Sequence, residues 1–404
     1  MFIARQPIFN KNLDVFGYEL LFRSDSKSKT FDGNSSVHAT ASVLGGLFES
    51  GITDIIGTKH AFINFDSDFL MSDLPELIEP HRLIIEVLED VIPDESLILR
   101  VIDLKTKGYK IALDDFVNSY DDYPLVPYAD IIKFDLMVTP LETIEAEVAK
   151  ALRESKILLA EKIEVEDVFL KAKEMGFHLF QGYFFAKPAI ATKAMKKSTT
   201  KALYGRIINE LKKDEPSFQT LAEIIETDVS LAYKVMKIIK SRAGDDLVYS
   251  IKRALTYMGL KELERWINIL MLQELGEHKP KELMELSLIR TKFSEQVALM
   301  SGLNRYKYEA SLMGLFSIID AVLDQEMSFA LQDISLPNSI KESLIYHKGT
   351  LINIYLLMIA YEKADWMTAK ILSERLNIEE SKLYDAYLSA VRWSNDTMTT
   401  VFGY

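Results

Sequence analysis

Residues 111–116 read Ile-Ala-Leu-Asp-Asp-Phe, a short apolar run that ends in two adjacent carboxylates. Short apolar runs of this kind are typical of β-strands. Six other stretches in the first half share the pattern, and nearly all of them end in a polar or acidic residue. The seven predicted strands are residues 15–23, 61–65, 83–88, 109–114, 131–135, 157–161 and 177–181.

Amphipathic segments such as residues 95–107 and 143–155 lie between these strands. Repeated strand–helix alternation predicts either a parallel α/β barrel or an open doubly wound sheet. A barrel draws its site residues from the carboxyl ends of several strands, whereas an open sheet concentrates them at one switch point. Because so many strands end in polar residues, we expect a TIM-like (β/α) barrel over residues 1–190.

The pattern changes at residues 191–200, a polar stretch of small residues that we interpret as a linker. Beyond it, apolar residues recur at helical spacing, and residues 201–404 are predicted to be all-helical. Ser217 and Ser250 are predicted N-caps, and Gly259 is predicted to end a helix. A chain of 404 residues is long enough for these two domains.

The composition excludes several classes of protein. A net charge of −13 argues against general DNA or RNA binding, which needs a basic face. The absence of cysteine excludes disulfides, thiolate zinc sites and cysteine nucleophiles, and it fits a cytoplasmic location. The N-terminus lacks an apolar signal segment, and the most apolar stretch, residues 351–361, is too short for membrane insertion.

Oxygen-donor side chains at the strand ends suit hard divalent cations. Crowded carboxylates repel one another, so they persist together where a cation or protons neutralise them. The adjacent Asp114 and Asp115 could bridge two metal ions, and a metal pair about 3.5–4 Å apart can clamp a phosphoryl group for displacement. The polar strand-end residues are Glu19, Asn64, Glu86, Glu89, Asp114, Asp115, Lys133, Asp135, Glu161, Glu164 and Gln181.

With these residues in this order, the first half resembles the EAL family of cyclic di-GMP phosphodiesterases. The resemblance covers residues 1–190 and rests on seven motifs taken together. They are Glu19-Leu-Leu-Phe-Arg23, Asn64-Phe-Asp66, Glu86-x-x-Glu89, Asp114-Asp115-Phe116, Lys133-x-Asp135, Ala160-Glu161-Lys162-Ile163-Glu164, and Gln181-Gly182-Tyr183 continuing to Lys187-Pro188.

The resemblance implies a role for each of these positions. Two ions, Mg²⁺ or Mn²⁺, would activate a water that hydrolyses cyclic di-GMP to linear pGpG. Lys133 and Glu161 would be catalytic, the lysine orienting the water or neutralising phosphate charge and the glutamate accepting a proton. Arg23 and Gln181 would bind the substrate, and Glu89, Asp135 and Glu164 would support the site. The implied metal ligands are Glu19, Asn64, Glu86, Asp114, Asp115 and Glu161.

Simpler interpretations stand beside these roles. Lys133 could pair with Asp135, and Arg23 could form a surface ion pair. Gln181 and Tyr183 could simply pack at the last strand, and His178 is better read as structural than as a ligand.

The loop after Asp115 departs from the family pattern. It reads Phe116-Val-Asn-Ser-Tyr-Asp-Asp122 where the family has glycines. Glycine permits backbone conformations that valine and serine resist. Leu20 and Lys162 also replace the alanine and glycine of their motifs. In the family, this loop couples dimerisation to the binding of metal and substrate. The resemblance therefore implies that the altered loop changes the regulation and the turnover of a possible homodimer.

Three segments of the second half carry a further resemblance, at residues 227–242, 250–270 and 314–324. Through them, residues 201–404 resemble an HDOD domain, a helical relative of HD-type phosphohydrolases. The chain has no His-Asp doublet, which hydrolases of that type need, so a protein-interaction module with an unknown partner is the better interpretation. Three functions remain for the whole chain. They are a cyclic di-GMP phosphodiesterase, a cyclic di-GMP receptor that signals through the helical half, and a scaffold that binds no nucleotide.

Overall fold

The computed structural model describes residues 2–23, 52–117, 120–187, 199–243, 250–332, 334 and 336–403. Eight strands in the first half close into one barrel, which confirms the predicted fold. The strands are β1 Phe2–Asn10, β2 Val15–Arg23, β3 His60–Phe65, β4 Leu83–Val87, β5 Lys110–Leu113, β6 Ile131–Asp135, β7 Ile157–Glu161 and β8 Leu179–Gln181.

Strand β1 is the element that the sequence pattern did not reveal. It runs antiparallel to both β2 and β8, whereas the successive pairs from β2 to β8 are parallel. Its apolar residues are interrupted by Arg5, Gln6 and Pro7, and an internal proline argues against a central strand. The other seven strands match their predicted bounds to within two residues at either end.

An apolar layer fills the lower part of the barrel. Seven of the eight strands contribute one side chain each, because alternate residues of a strand point to the same face. Each of these side chains is at most 4% exposed. They are Ile8, Phe62, Ile84, Ala112, Ile131, Leu159 and Leu179.

Helices cover the outside of a barrel of this type. The predicted helices of residues 95–107 and 143–155 are present and slightly shorter than expected. Asp94 caps the first of these by accepting a hydrogen bond from the Leu97 amide. The helices are α1 Ile52–Ile56, α2 Ser67–Met71, α3 Glu95–Thr106, α4 Glu145–Arg153 and α5 Glu166–Met175.

The remaining elements of the described chain are helices, as predicted. Ser217 and Ser250 each accept a hydrogen bond from an amide of the first turn, and Gly259 ends a helix with φ of +78°. The helices are α6 Thr199–Leu211, α7 Phe218–Glu226, α8 Val229–Ala243, α9 Ile251–Met258, α10 Leu260–Leu275, α11 Lys281–Met300, α12 Lys307–Phe316, α13 Ile319–Leu323, α14 Met327–Ala330, α15 Asn338–Tyr346, α16 Ile352–Glu362, α17 Trp366–Arg375 and α18 Glu380–Thr397.

The chain divides into two compact units whose bounds do not simply follow the sequence halves. The first contains the barrel, within Met1–Lys187, together with Leu356–Leu388. The second contains the described residues within 188–355 and 389–404. Most of the predicted linker lies outside the described residues, although α6 already begins at Thr199. The domain boundaries that we predicted from the sequence stay a prediction.

Close helix packing characterises the second unit. A Cβ atom on Gly314 of α12 would lie 2.3 Å from the Arg290 carbonyl oxygen on α11, so glycine is required at this contact. Nearby, Ser287 donates its hydroxyl to the Leu315 carbonyl at 2.8 Å. Across the described residues of the whole chain, none of the helices combines the length and apolar character that a bilayer crossing requires.

Candidate metal centre

A polar layer lies directly above the apolar layer of the barrel. Its members follow the apolar side chains by two positions on the same strands, and a two-residue step keeps them on the same face. Asn64 follows Phe62, and Glu86 follows Ile84. The further pairs are Ala112 with Asp114, Ile131 with Lys133, Leu159 with Glu161, and Leu179 with Gln181.

Lys133 lies at the centre of the polar layer and is completely buried. Its Nζ atom lies 2.5 Å from Glu86 Oε1, 2.6 Å from Asp114 Oδ1 and 2.9 Å from Glu161 Oε1. Burial opposes the charge on this ammonium, but the carboxylates outweigh it and raise the pKa of Lys133 well above its usual value.

Asp135 does not pair with Lys133, so the simpler interpretation of Lys133 is wrong. Asp135 instead forms an ion pair with Lys162 and accepts a hydrogen bond from the Met137 amide at 2.8 Å. Lys133 therefore pairs with the three surrounding carboxylates, Glu86, Asp114 and Glu161.

Glu19 is held by amide side chains from two other strands. Gln181 Nε2 donates to Glu19 Oε2 at 2.6 Å, and Asn64 Nδ2 donates to Glu19 Oε1 at 3.1 Å. Gln6, which pairs with Glu19 across β1 and β2, accepts from Gln181 Nε2 at 3.2 Å. The sequence pattern missed Gln6 because it missed β1.

Carboxylates at the mouth of the barrel converge closely enough to share a cation. One oxygen each from Asp114, Asp115 and Glu161 lies within 4.8 Å of the others. Burial is the main cause that raises the pKa of Glu161 to about 8, and it also raises the pKa values of Asp115 and Glu86. Protons or cations must offset this concentration of negative charge.

The donor set fits a divalent metal ion. Glu86 Oε2 and Asn64 Oδ1 are buried oxygens with no hydrogen-bond partner among the described residues. Buried polar atoms rarely stay unpaired unless an ion or water satisfies them. All the donors are carboxylate or amide oxygens, the ligands that Mg²⁺ and Mn²⁺ take. Four of the donors, Glu19, Asp114, Asp115 and Glu161, line a cavity of about 420 Å³.

Two residues of the site have left-handed backbone conformations without being glycine. Asp115 has φ of +38° and Lys162 has φ of +55°. Such conformations cost a non-glycine residue about 1–2 kcal/mol. Lys162 stands where the related motif has glycine, and its Nζ atom lies 3.8 Å from Asp115 Oδ2 in addition to its ion pair with Asp135.

Gly182 allows the ends of β7 and β8 to approach closely. It has φ of +144°, and a Cβ atom there would lie 2.1 Å from the Ile163 carbonyl oxygen. Ile163 donates its amide to the Gln181 carbonyl at 3.0 Å, and the Phe184 amide donates to the Ile163 carbonyl at 3.2 Å. These contacts fix the backbone of the two strand ends that provide Glu161 and Gln181.

Side-chain contacts anchor the loop after Asp115, which lacks the glycines of the related motif. Tyr120 donates its hydroxyl to Glu154 Oε2 at 2.8 Å, and Asp121 forms an ion pair with Lys150 of α4. The Tyr120 ring also meets Phe116 edge to face, with centroids 6.4 Å apart. Residues 118 and 119 of this loop lie outside the described residues.

The other predicted site residues lie away from the polar layer or are only partly described. Glu164 lines the cavity and pairs with Lys187 at 2.9 Å. Glu89 is exposed in the turn after β4. Arg23 is the last residue of β2, and its backbone pairs with Phe2 of β1. The structure does not describe the side chain of Arg23. The roles assigned to Arg23 and Glu89 stay predictions.

Comparison with known proteins covers nearly the whole chain. A family model described as the EAL domain matches residues 62–188, and one described as the HDOD domain matches residues 198–328. YuxH of Bacillus subtilis, an uncharacterised protein, is 33% identical over 98% of this chain and 99% of its own length. The cyclic di-GMP phosphodiesterase CdgJ of Vibrio cholerae is 31% identical over 98% of this chain and 92% of its own.

Solved structures with similarity to the chain share much lower identity. The Bacillus subtilis YkuI protein, solved with cyclic di-GMP and calcium, is 22% identical. The match covers 65% of this chain and 73% of that one, with a TM-score of 0.39. BlrP1 of Klebsiella pneumoniae, also solved with calcium and cyclic di-GMP, is 20% identical over 46% of this chain and 55% of its own, with a TM-score of 0.38.

Proposed function

Because the chain belongs to the family of EAL–HDOD proteins, we propose that its barrel hydrolyses cyclic di-GMP to linear pGpG. The observation that carries this proposal is the convergence of the Asp114, Asp115 and Glu161 carboxylates in one cavity beside the buried Lys133. A cyclic dinucleotide is a phosphodiester, and a phosphodiester is the substrate class that metal-holding carboxylates commonly serve.

We assign two divalent ions, Mg²⁺ or Mn²⁺, to the oxygen donors of the site. Glu19, Asn64, Glu86 and Asp114 would hold the first ion. Asp115 and Glu161 would hold the second, with Asp114 shared between the two. The unpaired oxygens of Glu86 and Asn64 support the first assignment, and the close approach of Asp114, Asp115 and Glu161 supports the second. The bound cations would lower the pKa of a water molecule and neutralise charge on the scissile phosphate.

The side chains of the protein have separate tasks in this scheme. Glu161 accepts the proton of the attacking water as the water oxygen bonds to phosphorus and one phosphodiester P–O bond breaks. The leaving oxygen stays on the linear nucleotide and takes up a proton from solvent to become a hydroxyl. Lys133 keeps Glu86, Asp114 and Glu161 oriented and offsets the charge that develops on the phosphate. Gln181 fixes Glu19 through the 2.6 Å hydrogen bond, and Arg23 contacts the nucleotide.

A turnover assay tests the proposal directly. Purified protein is incubated with cyclic di-GMP and Mn²⁺, and the products are separated by chromatography, with EDTA as the control. We expect pGpG to accumulate and EDTA to abolish it. If the nucleotide binds tightly but no product forms, the barrel is a receptor. If it neither binds nor reacts, the proposed function is wrong.

A receptor is the second candidate, and one contact favours it. The Lys162 ammonium lies beside Asp115 and Asp135, next to the carboxylates assigned to the second ion. A fixed positive charge there weakens the binding of another cation. A site that loads one ion in place of two would bind the phosphodiester and cleave it slowly.

The helical half is assigned a protein-binding role rather than a catalytic one. His278 and His347 are each followed by lysine, so the metal-binding doublet of HD-type hydrolases is missing from the sequence. Its partner, the homodimer, the cytoplasmic location and the support of the site by Glu89 and Glu164 stay predictions.

A further inference from the structure

Part of the chain beyond the HDOD match belongs to the same compact unit as the barrel. Residues Leu356–Leu388 include most of α16, all of α17 and the start of α18. Within this unit, the Tyr387 hydroxyl accepts a hydrogen bond from the Arg5 amide of β1 at 3.4 Å. Tyr361 is fully buried, with its ring 4.9 Å from that of Tyr387. The segment is therefore a packed component of the barrel unit.

This segment reaches the cavity through the end of α16. Tyr183, which follows Gln181 and Gly182, donates its hydroxyl to the Glu362 carbonyl at 2.9 Å. The next residue, Lys363, lines the cavity and places its Nζ atom 5.6 Å from the centroid of the Tyr183 ring. Tyr183 thus connects the strand end that holds Glu19 to the turn that carries Lys363.

Lys363 is an exposed cation at the wall of an acidic cavity. Among the described residues, no carboxylate lies within ion-pair distance of its Nζ atom. It is nevertheless close enough to Glu164 to lower the pKa of that carboxyl, after the larger effect of Lys187. A lysine that is neither buried nor paired can turn toward an incoming anion at little cost.

We propose that Lys363 is a ligand-binding residue of the barrel cavity, contributed by the C-terminal segment, and that it contacts a phosphate of the bound nucleotide. This rests on the proposed function, because a cyclic dinucleotide carries two phosphates. One phosphate occupies the layer of Asp114, Asp115 and Glu161, and the other lies nearer the cavity wall. Ligand binding thereby engages residues on both sides of the HDOD sequence.

Steady-state kinetics of the full-length protein with cyclic di-GMP and Mn²⁺ test the proposal. Lys363→Ala is expected to raise KM about three- to fivefold with little change in kcat, the size typical of an exposed ion pair. Lys363→Arg keeps the charge and should restore KM. Lys382→Ala is the matched control, because Lys382 is an exposed lysine of the same segment that pairs with Glu379.

The outcomes separate this proposal from the proposed function. An unchanged KM in Lys363→Ala, with a wild-type protein that turns over cyclic di-GMP, overturns the role of Lys363 and leaves the phosphodiesterase intact. If KM rises as much in Lys363→Arg as in Lys363→Ala, the proposal is also overturned, because the positive charge would then not account for binding of the nucleotide. A wild-type protein that neither binds nor cleaves the nucleotide overturns both.

Discussion

Lys133 Nζ lies 2.5 Å from Glu86 Oε1, and both side chains are completely buried within the barrel. Moving two charges out of water costs several kcal/mol per ion, and a pair of this kind is maintained where further charged groups and hydrogen bonds compensate. Here Asp114 and Glu161 share the same ammonium. The carboxylates still outnumber the cations, and this imbalance is the basis for assigning metal ions to the site.

Replacing Lys133 by methionine should destabilise the metal-free protein strongly. The variant keeps the length of the side chain but leaves three carboxylates without their cation, a change that costs about 3–5 kcal/mol when a buried pair is broken. Divalent ions should recover part of the loss by supplying the charge. Thermal unfolding with and without Mn²⁺ measures both effects. Lys171→Met, at an exposed position of α5, is the control, and equal melting temperatures for the two variants would contradict the account.

Glu19→Ala should abolish turnover. The change removes a proposed metal ligand, leaves Asn64 Nδ2 without its acceptor on Glu19 and leaves Gln181 Nε2 with Gln6 as its acceptor. We expect kcat to fall by at least about a hundredfold, the size typical of losing one strong electrostatic contact at an active site. Glu79→Ala, which removes an exposed carboxylate before β4, should retain full activity. If Glu19→Ala keeps wild-type activity, the assignment of Glu19 as a metal ligand is wrong.

Lys162→Gly should strengthen metal binding and relieve backbone strain. Glycine adopts φ of +55° without the penalty of about 1–2 kcal/mol that a side chain incurs, although the ion pair with Asp135 is lost. Isothermal titration with Mn²⁺ should show a several-fold lower Kd. Lys162→Ala removes the charge but keeps the Cβ atom, so it should share the gain in affinity without the relief of strain. An unchanged Kd in both variants would show that Lys162 does not oppose the second ion.

His178 should make the stability of the protein depend on pH. Its Nδ1 atom accepts the Leu158 amide at 3.2 Å, and burial, aided by Lys11, lowers its pKa. Because the folded state disfavours the protonated ring, the stabilisation is complete above the unfolded pKa of about 6.5 and is lost as the pH falls through the window down to the lower folded value.

Urea unfolding at pH 7.5 and pH 5.5 measures the loss of stability that protonation of His178 causes. Carboxylates also titrate in this range, so the informative quantity is the difference between wild type and His178→Gln. We expect the wild type to lose more free energy of unfolding on acidification than the variant, by up to about 1.4 kcal/mol, because pH 5.5 lies about one unit below the unfolded pKa. Equal pH dependence in the two proteins would contradict the assigned state of His178.

The sequence predicted the parallel part of the barrel because those strands are short apolar runs and nearly all of them end in a polar residue. It could not place β1, where Arg5, Gln6 and Pro7 interrupt the run, and it therefore missed Gln6 beside Glu19. No local sequence pattern could have placed Lys363 at the cavity. Its position there depends on the return of the chain to the barrel unit after residue 355. The pairing of Lys162 with Asp135 likewise depends on the geometry across β6 and β7.

Equilibrium binding of Mn²⁺ to the metal-free protein, followed by the EPR signal of the free ion, tests the central claim most directly. The account predicts saturable binding of one or two ions in the wild type and loss of that binding in Asp114→Asn combined with Asp115→Asn. If the wild type binds Mn²⁺ no more strongly than the double variant does, the account is contradicted. The carboxylates at the barrel mouth would then be neutralised by Lys133, Lys162 and protons alone.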